Sequence, residues 1–195
     1  MNGRIGNIII LNGTSSCGKT SVLRALQNLL DEPYLEAGID KFIWMLPKRY
    51  LDRPLWDDVL GRASEAGATG EQLVMSMHRA MRALALSGSN VLADHVLVEP
   101  EWVKDAASLF HDLPAYLVGI RCPLEVLEER ERARRDRTLG QARLQYNLVH
   151  AHGVYDVEVD TSSHTPEECA QIILQRLHAG SPRAFSMLQS GLCAG

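Results

Sequence analysis

Four consecutive aliphatic residues, Ile8–Leu11, close the segment Ile5–Leu11, and Asn12 follows at once. A run that is apolar at every position, not at alternate ones, suits a parallel strand covered on both faces. After Gly13–Thr20, the residues Val22, Leu23, Leu26, Leu29 and Leu30 recur at helical spacing, which turns an apolar stripe toward that strand. The opening therefore reads as strand, glycine-bearing loop, helix. Pro33 stops the helix, and Tyr34–Ile39 reads as a second short strand that delivers Asp40 to its C-terminal end. Lys41–Gly70 carries Phe42, Ile43, Trp44, Met45 and Leu46 but also Pro47 and Pro54, a pattern for a broken cover built partly from loop.

Val74, Met77, Met81 and Leu84 share one face of a helix predicted over Glu71–Ser87, with Gly88 as its stop. Val91–Ala93 is a buried strand ending at Asp94, and Glu101–His111 is a helix with Pro100 near its start. Tyr116–Ile120 supplies the next strand, and Pro123–Arg135 a charged helix with Leu124 and Leu127 inward. Val157–Asp160 is the final strand. Thr165-Pro166-Glu167-Glu168 then combines an N-cap, proline at N1 and glutamate at N3, ahead of a core helix carrying Ile172, Ile173, Leu174 and Leu177. Strands and helices alternate throughout, the pattern of an α/β fold.

Ala179–Gly195 has no sustained apolar period. The expected organisation is one compact domain over residues 1–178 and a loosely constrained tail over 179–195, since 195 residues suit a single core. Hydrophobic residues at 46% and charged residues at 23% exclude a disordered or polymer-like chain. A net charge of -4 provides no global attraction toward nucleic acid, so no nucleic-acid partner is expected. The four cysteines are scattered, without the paired spacing of a zinc site or redox dithiol. No apolar run approaches the ~20 residues that span a bilayer, and no secretory cleavage pattern follows the start, so the expectation is a cytoplasmic protein with no membrane association.

The chemistry is concentrated in Gly13-Thr14-Ser15-Ser16-Cys17-Gly18-Lys19-Thr20, which matches GxxxxGK[ST]. In that pattern backbone amides surround phosphate oxygens, the lysine offsets their charge and the final hydroxyl, here Thr20, helps bind Mg²⁺. The strand before and the helix after supply the context the motif requires. Cys17 reads as a small loop residue, because no second cysteine stands nearby.

Asp94, at a strand end, is a candidate to reach Mg²⁺ directly or through water, with an ordinary turn carboxylate as the alternative. Asp40 has two readings as well: acceptor of a proton from an attacking hydroxyl, or a cap at the surface. Arg121, Arg130, Arg132, Arg134, Arg135, Arg137 and Arg143 form a basic concentration interleaved with acids, readable as a lid over a nucleotide or as a solvated, salt-bridged helix. His150 and His152 lack the further ligands a metal site needs, and read as polar packing. Trp44, Met45, Leu46, Tyr50 and Trp56 are candidates for the wall of an acceptor pocket.

IILNGTSSCGKTS, YLEAGID, the strand ending at Asp94, VGIRCPLEVLEERERARRDR and VHAHGVYDVEVDTS together resemble the chloramphenicol 3-O-phosphotransferase family of small P-loop kinases, from the first strand to about residue 178. The resemblance implies a nucleotide kinase-like fold: a five-stranded parallel sheet in the order 2-3-1-4-5, flanked by helices, with a helical lid. It implies ATP as phosphoryl donor and the primary hydroxyl of chloramphenicol as acceptor, hence an antibiotic-resistance activity. It places the family's base on Asp40, its phosphate lysine on Lys19, its Mg²⁺-associated threonine on Thr20, and its mobile arginines on Arg134 and Arg137. His95 departs from the pattern, which carries a second acid there. A kinase for another alcohol, such as a nucleoside or sugar, and a nucleotide-binding switch are the competing functions. Either a monomer or a homo-oligomer fits the sequence.

Overall fold

Strand β1 (Ile8–Asn12) is buried at all five positions and hydrogen-bonded on both edges, the environment its unbroken aliphatic run demands. The computed structural model describes residues 3–46, 67–133 and 139–193. After β1 the chain forms α1 (Lys19–Leu29), β2 (Tyr34–Glu36), α2 (Ile39–Ile43), α3 (Gly67–Leu86), β3 (Asn90–His95) and α4 (Pro100–Phe110). It continues through β4 (Ala115–Arg121), α5 (Leu124–Ala133), α6 (Gln141–Tyr146), β5 (Val157–Asp160), α7 (Pro166–His178) and α8 (Ala184–Cys193).

All four strand pairings are parallel and the five strands lie in the order β2-β3-β1-β4-β5, the fold the resemblance implies. Alternation along the strands divides the core in two. Ile8, Ile10, Val91, Ala93 and Leu117 face Met77 and Met81 of α3 and Trp102 and Phe110 of α4. Ile9, Leu11, Leu92, Val118 and Ile120 face Leu23 and Leu26 of α1 and Ile173 of α7. No helix of the described residues is long and apolar enough to cross a membrane.

Three local outcomes refine the sequence reading. The second strand ends at Glu36, not at Ile39, because the chain turns at Gly38 and buries Ile39 and Ile43 one helical turn apart. A Cβ on Gly38 would stand 1.8 Å from Asp94 Oδ1, so the turn fits under that carboxylate only as glycine. Asp40 therefore sits in the first turn of α2, where a carboxylate is favoured by the helix dipole. The capping box forms as the sequence predicts: Thr165 Oγ1 accepts the Glu168 amide at 3.2 Å while Glu168 Oε2 accepts the Thr165 amide at 2.8 Å.

The third outcome concerns the chain after residue 178, which is seated on the domain. Asp156, with its side chain only 1% exposed, accepts the Arg183 amide at 2.7 Å and pairs with Arg176, fixing the start of α8. Phe185 then packs edge-on against Phe110 at 5.3 Å between ring centres, inside the α3–α4 core. Phe185→Ala should lower stability by about 3 kcal/mol or more, because an aromatic buried among aromatics leaves a cavity on truncation. A urea unfolding midpoint equal to that of the unaltered protein would show instead that α8 contributes nothing to the core.

Candidate active site

The phosphate loop leaves β1 under constraint from both neighbouring strands. The Gly13 amide donates to the His95 carbonyl at 3.3 Å, and a Cβ on Gly13 would lie 2.6 Å from the Ile120 carbonyl and 2.7 Å from Cys17 Sγ. Ser16 at φ 62 and Gly18 at φ 90 bend the loop through left-handed conformations, the kind from which anion-binding concavities are built. Gly18 caps α1 with no side-chain acceptor, so the first amides of the helix remain open toward a ligand. Lys19 is buried and its Nζ donates to the carbonyls of Gly13 and Thr14, both at 2.7 Å.

A cavity of about 400 Å³ opens above the loop at the C-terminal edge of the sheet, where open α/β folds bind ligands. Ser15, Ser16, Gly18, Lys19 and Thr20 line it from the loop, Asp40 from α2, Asp94 and His95 from β3. Its remaining walls include Arg130 of α5, Gln145 of α6, and Thr161 and His164 after β5. The cavity thus gathers Asp40, Asp94 and the adjacent pair Lys19 and Thr20 from three separate stretches of sequence. Thr20 and Asp94 present oxygen donors, the chemistry a hard divalent cation requires. The Ser15 and Ser16 hydroxyls are buried without a hydrogen-bond partner among the described residues, polar capacity that phosphate would use.

Three members of the loop do not line this cavity. Gly13 and Cys17 form its inner side, with the Cys17 thiol buried and its carbonyl accepting Thr161 Oγ1 at 2.7 Å. Thr14 faces a second cavity with Arg121, Cys122 and His150. Trp44 and Met45, at 64% and 72% exposed, lie on the outer side of α2, and Leu46 follows them. Tyr50, Trp56, Arg134 and Arg137 lie outside the described residues. His95 occupies the position of the expected second acid, and strand alternation turns its ring away from Asp94, toward α3 and α4.

Several cavity residues carry no motif. Arg130 donates from Nη1 to Thr161 Oγ1 at 3.0 Å and from Nη2 to the Thr161 carbonyl at 2.8 Å, joining α5 to the loop after β5. Glu131 is buried and accepts the Gly140 and Ala142 amides at 2.7 and 3.0 Å, which staples the start of α6 to the end of α5. Gln145 Oε1 then accepts the Ser15 amide at 2.7 Å, so α6 touches the phosphate loop directly. Arg130 belongs to the arginine concentration, and Thr161 directly follows a strand, a position where sites form; Gln145 has no local signal.

Below the loop, Asn12 donates to the Val149 carbonyl and to Tyr155 Oη, both at 2.8 Å. Its Oδ1 accepts the Leu97 amide at 2.8 Å. The Tyr155 hydroxyl also hydrogen-bonds to His150 Nδ1, 2.6 Å away. Burial, reinforced by the Arg121 charge, pushes His150 down to about 3 and His152 down to about 4. Burial also raises the Tyr155 hydroxyl well above its ordinary value. Among the described residues no group of three or more His, Cys, Asp or Glu is arranged to hold a metal.

These features define a class: a P-loop kinase, with a five-stranded parallel sheet and its phosphate loop facing carboxylates across one cavity. The chain belongs to the chloramphenicol phosphotransferase-like family, whose description, "Chloramphenicol phosphotransferase-like protein", matches residues 6–178. It is 36% identical over 198 aligned residues to the Mycobacterium tuberculosis H37Rv protein named "Putative O-phosphotransferase Rv2636", covering 94% of this chain and 88% of that one. Among solved structures, a sugar kinase from Janibacter sp. HTCC2649 aligns with a TM-score of 0.66 at 16% identity, covering 89% of this chain and 95% of the other. Shikimate kinase from Acinetobacter baumannii aligns with a TM-score of 0.59 at 16% identity, covering 90% and 94%. At that identity the likeness is one of fold.

The two histidines give a prediction about acid stability. Their folded values lie below the ordinary 6.5, so between about 4 and 6.5 the unfolded chain binds more protons than the folded one. Their contribution is intact above 6.5 and is lost progressively as pH falls below it, completely for His152 by about 4 and for His150 by about 3. His152→Gln should reduce the proton uptake on unfolding by about one across that window, read from chemical denaturation at a series of pH values. An unaltered slope would mean that His152 titrates alike in both states.

Proposed function

We propose that the protein transfers the γ-phosphoryl group of ATP to the hydroxyl of a small-molecule alcohol, with the primary hydroxyl of chloramphenicol as the first acceptor to test. The observation that carries this reading is the shared cavity, in which Asp40 and Asp94 face Lys19, Thr20 and the open N-terminus of α1. The loop amides and Lys19 hold the β- and γ-phosphates. Asp40, across the cavity on α2, accepts the proton as the alcohol oxygen bonds to phosphorus and the bond from phosphorus to the β,γ-bridging oxygen breaks, releasing ADP.

Thr20 and Asp94 are the residues that would hold Mg²⁺, which when bound offsets the charge of the β- and γ-phosphates. Arg130, tied to Thr161 on the cavity wall, is placed to meet phosphate charge. Arg134 and Arg137 remain candidates for the same role from the resemblance. With chloramphenicol as acceptor the product is its 3-O-phosphate and the consequence is resistance; ATP dependence fits a cytoplasmic setting. The curated relative is named for O-phosphotransfer without an acceptor, so nucleosides and sugars belong in the same panel.

Incubation with γ-labelled ATP, Mg²⁺ and that panel should label at least one alcohol. Folded protein that binds ATP and labels none would overturn the kinase reading in favour of a nucleotide switch. Asp40→Asn should keep most of the ATP affinity and slow transfer roughly a hundred- to ten-thousandfold, the range a positioned base supplies. Lys19→Ala should weaken nucleotide binding and transfer together. Unchanged transfer in Asp40→Asn would remove Asp40 from the proton-accepting role.

A further inference from the structure

Behind the cavity, three ionisable side chains form a single hydrogen-bonded line. The Val96 amide donates to His95 Nδ1 at 2.7 Å. His95 Nε2 meets His78 Nε2 at 2.7 Å, and His78 Nδ1 meets Asp105 Oδ2 at 2.7 Å. Both rings are buried, His78 under the edge of Phe110 and His95 beside Trp102. Arg79 holds the outer end through Asp105 Oδ1 at 3.2 Å.

Each link dictates the next. A backbone amide only donates, so His95 Nδ1 accepts and the ring carries its proton on Nε2. That proton goes to His78 Nε2, which makes His78 the Nδ1–H tautomer, donating to the Asp105 carboxylate. Any other neutral arrangement sets two N–H groups or two lone pairs against each other at hydrogen-bond distance in a dry core, at the cost of an unmade bond.

The inner end of the line lies where the chemistry is. His95 is the residue after Asp94, and its carbonyl is the acceptor for the Gly13 amide. Its ring fixes the Val96 amide, and the next amide, Leu97, is held by Asn12 of β1. A pair of apolar residues would fill the same space without polar groups to satisfy. The polar line instead fixes the direction of one backbone corner, the corner that carries Asp94 and grips the start of the phosphate loop.

We propose that His78 and Asp105 are positioning residues for phosphoryl transfer, acting through His95 to hold Asp94 and Gly13 in register. The proposal rests on reading the cavity as a phosphoryl-transfer site. Neither residue touches the phosphates, so their loss should affect the rate of transfer far more than nucleotide affinity. His78→Leu removes the acceptor facing His95 at similar volume, whereas His78→Gln retains one.

The test measures ATP affinity and the rate of transfer at saturating ATP, to whichever alcohol of the panel is phosphorylated or, if none is, to water. His78→Leu should slow transfer roughly 10- to 100-fold, the usual cost of losing a supporting partner or displacing a reacting group slightly. ATP affinity should stay within about threefold, and His78→Gln should recover most of the rate. Asp105→Ala, which leaves both rings in place, should slow transfer in the same direction and serves if His78→Leu does not fold. Long-range ¹H–¹⁵N spectra of histidine-labelled protein should show His95 as the Nε2–H and His78 as the Nδ1–H tautomer. Transfer at the unaltered rate in both His78→Leu and Asp105→Ala, glutamine no better than leucine, or the opposite tautomers would each overturn the proposal. A panel in which no alcohol is labelled overturns the kinase reading, while the tautomers and ATP hydrolysis still judge the histidine line.

Discussion

The N–H of Gly13 donates to the His95 carbonyl, while the place where its Cβ would stand is already taken by the Ile120 carbonyl and the Cys17 sulfur. This double constraint from β3 and β4 lets the chain leave β1 at a fixed angle, with the open start of α1 turned toward the cavity. A phosphate loop needs that fixed geometry, because a helix N-terminus attracts an anion only where its first amides stay aimed at one place. The cost of burying β1 on two faces and two edges is met by the aliphatic run Ile8–Leu11, and the loop inherits the rigidity of that strand. Asn12 completes the attachment by bonding to Leu97 on one side and to Val149 and Tyr155 on the other.

Much of this framework is written in local signals. Ile8–Leu11, the glycines and Lys19 of the loop, and the stripe from Val22 to Leu30 each announce their element within a few residues. Thr165 and Glu168 form their capping box from positions three apart. The failures lie where structure depends on distant partners. Nothing near Tyr34–Ile39 reveals that Gly38 must pass beneath Asp94, so the strand reads as longer than it is. α8 rests on Asp156, which is 27 residues before Arg183 and has no sequence pattern linking it to the helix it caps.

The site divides the same way. Lys19 and Thr20 are legible because the phosphate motif fixes their spacing, and Asp94 because strands deliver residues to the edge where ligands bind. Asp40 is legible as a residue near that edge, though as a member of α2 and not of a strand. Gln145, Glu131 and the His78–Asp105 pair are invisible, since their partners are 130, 9, 11, 17 and 27 residues away in the chain. Arg130 is hidden differently: it stands among many arginines, and only its bonds to Thr161 set it apart.

The charge around the cavity follows from this packing. His95, His150 and His152 surround the loop, and burial together with the neighbouring positive charges of Lys19 and Arg121 shifts all three downward. Held neutral, they act as oriented dipoles, fastened to Val96, Tyr155 and Val154. An imidazolium at any of these places would stand close to Lys19 or Arg121 and would push against the geometry that keeps the loop open. The positive potential an anion meets in the loop therefore comes from Lys19 and the backbone amides, groups whose position is set by β1 and α1. Buried histidines are compatible with such a site because they supply hydrogen-bond direction without adding charge, the property that a row of aliphatic side chains lacks.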